Sequence, residues 1–291
     1  MDIKEGRSRI GVGVMLLALA LAAAPAWAGA RDALRFSPAN GVQVQADLAE
    51  DGLIDVQILP AGTRQRLPAA QDADGQSQLS SEDIDFDGYP DLVARAPVGQ
   101  VNEAVAVYRY DARQARLTAL VPTTHGQEQC GGLMGLAVEA ATRTLTSSCR
   151  SGPMWYVDVY RYNGPALYLY RAERMSMLGD ALDAVVAVKQ PDDSGPLAVW
   201  STFDAAGKVL ETAIADGLEA PRSGVPLQPV SGRVVPERLA LYARPGDTAT
   251  RRYLVAGDTV ALLDERDGWV QVRYANPTHG AIVGWVNGIA P

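Results

Sequence analysis

The sequence predicts an all-β protein: an antiparallel, β-sandwich-like N-terminal domain followed by a small β-barrel. Three observations carry this. Apolar residues alternate or run together over strand lengths and are punctuated by turn dipeptides such as Asn40-Gly41, Asp51-Gly52 and Asn163-Gly164. The pentad Val107-Tyr108-Arg109-Tyr110-Asp111 recurs as Val159-Tyr160-Arg161-Tyr162-Asn163, each copy leading into a turn and another strand. Near the end, Gly268-Trp269-Val270 and Gly284-Trp285-Val286 mark two short strands of a compact barrel. A helical alternative exists only at Ala181–Lys189 and Leu136–Ala141, and both are short.

The first 28 residues stand apart. Lys4, Arg7 and Arg9 precede an apolar run from Ile10 to Ala24, and Ala26-Trp27-Ala28 is a small-x-small cleavage site. The run is short for a membrane span and is broken by glycines and Pro25. We expect a signal peptide over residues 1–28, cut after Ala28, and a periplasmic product with no remaining membrane span. The first cysteine is Cys130, so no lipid-attachment cysteine follows the leader. Removing a leader of net charge about +1 from a chain at −8 leaves about −9. That balance disfavours nucleic acid and anionic lipid and favours cationic partners.

The remaining chain divides into residues 29–216, a Pro- and Gly-rich linker over 217–236, and residues 237–291. In the first part Leu34–Phe36, Val42–Leu48 and Leu53–Leu59 read as strands, and residues 61–82 as a polar, turn-rich loop. That loop leads into Asp83-Ile84-Asp85-Phe86-Asp87-Gly88-Tyr89-Pro90-Asp91. A hard cation, calcium above all, takes about six to eight oxygens near 2.4 Å. Asp83, Asp85, Asp87 and Asp91 offer side chains, the carbonyl of Tyr89 offers another oxygen, and Gly88 sits where the loop turns. Twelfth in the loop is Ala94 rather than a bidentate Glu, and strand-like residues follow. The stretch therefore resembles the D-x-D-x-D-G-x-x-D calcium loops of integrin α and related β-rich proteins. Its expected role is structural, the competing reading being an acidic surface turn.

Two cysteines in an exported chain read as one disulfide, Cys130–Cys149. Its loop of about twenty residues stabilises by roughly 3 kcal/mol in the chain-entropy description. Leu133–Val138 and Thr142–Ser147 form a hairpin inside it. Beyond Cys149 come Arg150, Ser151, Gly152, Pro153, Met154, Trp155 and Tyr156: a tight turn with two aromatics at its exit. Adjacent strand residues face opposite ways, so one aromatic enters the core while the other stays outside. Such a braced loop suits insertion into a partner's cleft, because little freedom is lost on binding. A plain hairpin followed by core aromatics is the alternative.

The Asp loop, the cysteine pair and the Cys-Arg-Ser-Gly run ahead of aromatic strands together resemble exported bacterial proteins related to inhibitors of invertebrate-type lysozymes, among them immunity proteins. The resemblance spans roughly residues 30–215. It implies a periplasmic, non-enzymatic inhibitor of a lysozyme-like peptidoglycan hydrolase, with Arg150, Ser151, Gly152, Trp155 and Tyr156 entering the enzyme's cleft. In those inhibitors the pattern is Ser-Gly-x-x-Tyr; here Trp155 occupies the Tyr position and the tyrosine is displaced to Tyr156. Residues 237–291, with both Gly-Trp-Val strands, resemble the bacterial SH3 domain. That implies binding of peptidoglycan or a protein, with Tyr242, Tyr253, Trp269, Tyr274 and Trp285 as groove candidates. A non-inhibitory envelope-binding protein is the alternative function.

Catalysis has few sequence correlates. The two histidines, His125 and His279, lack a Cys or His at metal spacing, and Ser151 is not in a Gly-x-Ser-x-Gly elbow. We expect no enzyme.

Overall fold

The computed structural model describes residues 33–70, 77–190 and 194–289. The expected signal peptide lies outside them. The described chain is almost entirely antiparallel β-structure, as the alternation predicts.

The first sheet is a meander of β1 (Leu34–Ala39), β2 (Val42–Leu48), β3 (Leu53–Leu59) and β4 (Thr63–Pro68). The second is a meander of β5 (Gln78–Glu82), β6 (Asp91–Val98), β7 (Asn102–Asp111) and β8 (Arg116–Ala119). Two of these strands lie where the sequence suggested an irregular loop over 61–82. β4 escapes a hydrophobic-pattern search because only Leu67 turns into the core, while Arg64 and Arg66 stay outside. β5 is equally polar, and its strand character comes from full pairing with β6 from Gln78↔Arg95 to Glu82↔Asp91.

A larger sheet follows: β9 (Ala137–Glu139), β10 (Thr144–Ser151), β11 (Met154–Asn163) and β12 (Ala166–Met175), extended after a one-turn helix α1 (Asp180–Asp183) and β13 (Val186–Val188) by β14 (Leu197–Phe203) and β15 (Val209–Asp216). Its order is β15-β14-β12-β11-β10-β9. Of the two stretches with a helical alternative, Ala181–Lys189 opens in α1 and then turns into β13, while Leu136–Ala141 is strand and turn.

Successive residues of β6 and β7 explain how these sheets stack. Leu92, Ala94 and Tyr108 face a core shared with Val44, Ile54 and Ile58 of the first sheet. Val93 and Val107 face the opposite way, into a core shared with Leu145, Tyr160 and Leu169 of the third. The second sheet is therefore buried on both faces, and the three sheets form consecutive layers. Side-chain alternation along each strand produces this directly.

The C-terminal part is built from β16 (Ser231–Val234), β17 (Arg238–Ala240), β18 (Tyr253–Val255), β19 (Thr259–Arg266), β20 (Trp269–Asn276) and β21 (Gly280–Asn287). Its five-stranded sheet, β13-β16-β19-β20-β21, draws two strands from outside residues 237–291. β16 comes from the stretch expected to be a linker, and residues ahead of it are also held in place. The fully buried Arg171 donates to the carbonyls of Pro221 (3.1 Å), Arg222 (2.7 Å) and Val225, while Leu227 packs with Trp200. Proline and glycine suppress regular structure here but leave the carbonyls available to an interior guanidinium. The two parts also share a core in which Leu182, Val186 and Ile214 meet Val260, Leu262, Val270 and Val286.

Candidate functional site

The aspartate loop closes the β5–β6 hairpin, bounded by the Glu82↔Asp91 pair. Two apolar side chains root it. Ile84 is fully buried, and Phe86 packs against the core between the second and third sheets. Phe86 takes a positive φ of 62° and meets the Tyr162 ring edge-on at 6.2 Å. Gly88, at φ 91°, supplies the turn that a side chain would strain.

Loop carboxylates are held by backbone N–H groups. Asp83 accepts from Asp87 (3.1 Å) and Gly88 (3.0 Å), and Asp91 accepts from Ile84 (3.1 Å). Asp85 accepts from Asp87 N–H at 3.3 Å and from the Arg109 guanidinium at 3.2 Å. The result is a group of three, Asp83, Asp85 and Asp91, with ligand oxygens all within 4.8 Å of one another. Asp87, expected as a fourth ligand, stands outside that group; its Oδ1 accepts the Tyr89 N–H at 2.8 Å. Tyr89 belongs to the same turn.

Charge at this site is expensive to leave alone. Burial, then repulsion from Asp85 and Asp87, pushes the Asp91 carboxyl up to about 7, against the opposing pull of the Ile84 N–H and Arg109. Burial, then Asp87, also raises Asp85, with Arg109 opposing. Three converging carboxylates, one of them buried and reluctant to ionise, form an all-oxygen donor set suited to a hard cation. A divalent ion held by Asp83, Asp85 and Asp91 would neutralise that repulsion and fasten the hairpin.

The second predicted site is the β10–β11 hairpin tip. Gly152 has φ 59°, with Ser151 opposite Met154, Arg150 opposite Trp155 and Cys149 opposite Tyr156. Cys130 and Cys149 form the expected disulfide, with Cα atoms 5.7 Å apart. A second brace has no sequence signature: Arg150 N–H donates to Asn102 Oδ1 at 2.7 Å, and Asn102 Nδ2 donates back to the Arg150 carbonyl at 3.0 Å. Asn102 lies 48 residues earlier in the chain. The Arg150 guanidinium lies 6.0 Å from the centre of the Trp155 ring. Trp155 is 40% exposed, whereas Tyr156 is half-buried, as strand alternation requires.

Below the disulfide, the buried Asp158 accepts N–H groups from Gln129 (3.0 Å) and Cys130 (2.8 Å). Burial raises its carboxyl to about 6 against these bonds. Neighbouring Glu173 accepts the Val157 N–H at 2.9 Å, and burial pushes it up to about 8. Neither residue was marked by a motif.

Of the five groove candidates, three come together. Tyr242 and Trp269 stack edge to face at 5.2 Å, and Tyr242 exchanges two backbone hydrogen bonds of 2.8 Å with Trp285. The buried Trp285 lies under the Arg266 guanidinium at 5.6 Å. Tyr253 sits on the β17–β18 ribbon beneath Arg238, and Tyr274 packs against the barrel core.

Comparison with known families touches one of these places. Residues 76–108 match the FG-GAP repeat. The matched stretch covers β5, the aspartate loop, β6 and most of β7. The Asp83–Asp85–Asp91 group thus falls wholly inside the FG-GAP segment, and the Arg150–Tyr156 hairpin falls outside it. No curated protein and no solved structure matches the chain.

Proposed function

We propose that this chain is an exported, non-catalytic inhibitor or immunity protein that blocks a lysozyme-like peptidoglycan hydrolase, with calcium stabilising its aspartate loop. The observation that carries the reading is the doubly braced Arg150–Tyr156 hairpin, fixed by the disulfide on one side and by Asn102 on the other. A pre-ordered tip loses little freedom on docking. Trp155, the more exposed aromatic, is the residue placed to enter a cleft. Arg150 beside it suits the paired carboxyl groups of a glycoside-hydrolase site. The acidic balance of the chain favours encounter with a basic enzyme. No helix among the described residues is long and apolar enough to cross a membrane, and the disulfide fits an oxidising compartment such as the periplasm.

The test is peptidoglycan clearing by a panel of lysozyme-fold hydrolases, with the protein from residue 29 added as wild type or Trp155→Ala. We expect loss of hydrolysis near one-to-one stoichiometry, relieved in the variant. Unimpaired hydrolysis by every enzyme would sink the inhibitor reading. A second reading, an envelope-binding protein, draws on the Tyr242–Trp269–Trp285 aromatic group of the SH3-like part. It predicts sedimentation with cell-wall sacculi without inhibition, reduced by Trp269→Ala.

A further inference from the structure

We infer that Arg109 is a built-in counter-cation that sets the calcium affinity of the aspartate loop; the inference rests on reading that loop as a calcium site. Arg109 stands on β7, outside the loop, and reaches back to Asp85 Oδ2 at 3.2 Å. Among the described residues it is the one basic side chain paired with a carboxylate of the Asp83–Asp85–Asp91 group.

Its placement is enforced from a different layer of the protein. The guanidinium lies 5.7 Å from the centre of the Tyr162 ring on β11, and the same ring takes the edge of Phe86. The Nε of Arg109 is buried and has no hydrogen-bond partner among the described residues. The side chain is therefore contacted from two directions, by Asp85 and by the Tyr162 ring.

Two opposing effects follow. In the cation-free loop, Arg109 offsets part of the repulsion among four aspartates and keeps the hairpin formed. In the loaded loop its fixed positive charge repels the ion. Calcium loops tune affinity through the summed charge of their surroundings, so Arg109 trades affinity for stability of the empty state.

The experiment is calorimetric titration of CaCl2 into wild type, Arg109→Met, Arg109→Gln and Arg109→Lys at low ionic strength, paired with thermal melts in chelator and in saturating calcium. Arg109→Met should bind about tenfold more tightly than wild type, and Arg109→Lys about equally. Arg109→Gln keeps a hydrogen-bond donor without the charge; it should also bind more tightly, and it carries the test if the Met variant does not fold. In chelator both neutral variants should melt below wild type, with the gap narrowing in calcium. Equal or weaker calcium binding by the neutral variants would overturn the inference while leaving the calcium site intact. A wild type that binds no calcium overturns the site and the inference together.

Discussion

Arg174 and Asp264, ninety residues apart in the chain, meet at 3.1 Å where the third sheet adjoins the C-terminal barrel. Around this pair, Arg174 also donates to the Glu265 carbonyl at 2.6 Å, and the Glu265 carboxylate accepts from the Ser176 hydroxyl and the Met177 N–H. Asp264 and Glu265 are both buried, and these partners, with the Arg266 guanidinium (2.9 Å) and the Glu265 N–H (2.8 Å) on Asp264, compensate for lost water. The barrel is thus locked to the sheet that carries the Arg150–Tyr156 hairpin.

This lock predicts a single cooperative unfolding transition for the described chain. Glu265→Ala removes the buried acceptor of the Ser176 hydroxyl and the Met177 N–H, both at a partly exposed junction, and should destabilise by about 1 kcal/mol. Scanning calorimetry checks both points. Two resolved transitions in the wild type would contradict the shared core.

Removing the proposed metal ligands should matter only when metal is present. Asp83→Ala combined with Asp85→Ala should lower the melting temperature in calcium while changing it little in chelator, because ligand binding stabilises only the competent native state. An equal loss in both conditions would show that the carboxylates act solely through their backbone hydrogen bonds.

On the proposed calcium reading, Asp91 should make binding pH-dependent. Its folded carboxyl stands at about 7 against an ordinary 3.8. A raised value means that its favourable contribution is complete below the unfolded value and is lost as pH rises through about 7. Without calcium, this residue therefore lowers stability from pH 5 to pH 8. Calcium requires the ionised form, so its affinity should increase over the same interval and protons should be released on binding near pH 6.5. Titrations in two buffers of different ionisation enthalpy measure that release directly.

Glu173 gives a similar dependence away from the metal. With the folded carboxyl near 8 against an ordinary 4.5, its contribution is lost as pH climbs through 8. Glu173→Gln keeps an oxygen for the Val157 N–H without the buried charge. It should therefore raise the melting temperature relative to wild type at pH 9 but hardly at pH 5. No difference between the two pH values would place the titration elsewhere.

Releasing the hairpin brace tests its contribution to stability. Cys130→Ser with Cys149→Ser should cost about 3 kcal/mol by freeing the loop in the unfolded chain. Asn102→Ala should cost about 1 kcal/mol through its exposed hydrogen bonds to Arg150. Denaturant titration measures both; a larger loss from Asn102→Ala than from the cysteine pair would reverse the order argued here.

Local chemistry sufficed for several features. Alternating apolar residues and Asn-Gly turns define β2 and β3, since one-face burial leaves a period-two imprint. Aspartates at alternate positions around Gly88 mark the loop that gathers Asp83, Asp85 and Asp91, because donor spacing and turn conformation are both local demands. The two cysteines identify their own bond. Tertiary structure decided the rest. Polar β4 and β5 became strands through pairing rather than pattern. The Pro- and Gly-rich stretch was ordered by Arg171, fifty residues upstream. Asp87 stands outside the Asp83–Asp85–Asp91 group, with an oxygen on the Tyr89 N–H, and Arg109 reaches the site from another strand. Asn102 and Glu265 act on residues 48 and 88 to 91 positions away. Such partnerships leave no periodicity in the chain, because a side chain's neighbours across stacked sheets are set by register and layer order, not by sequence distance.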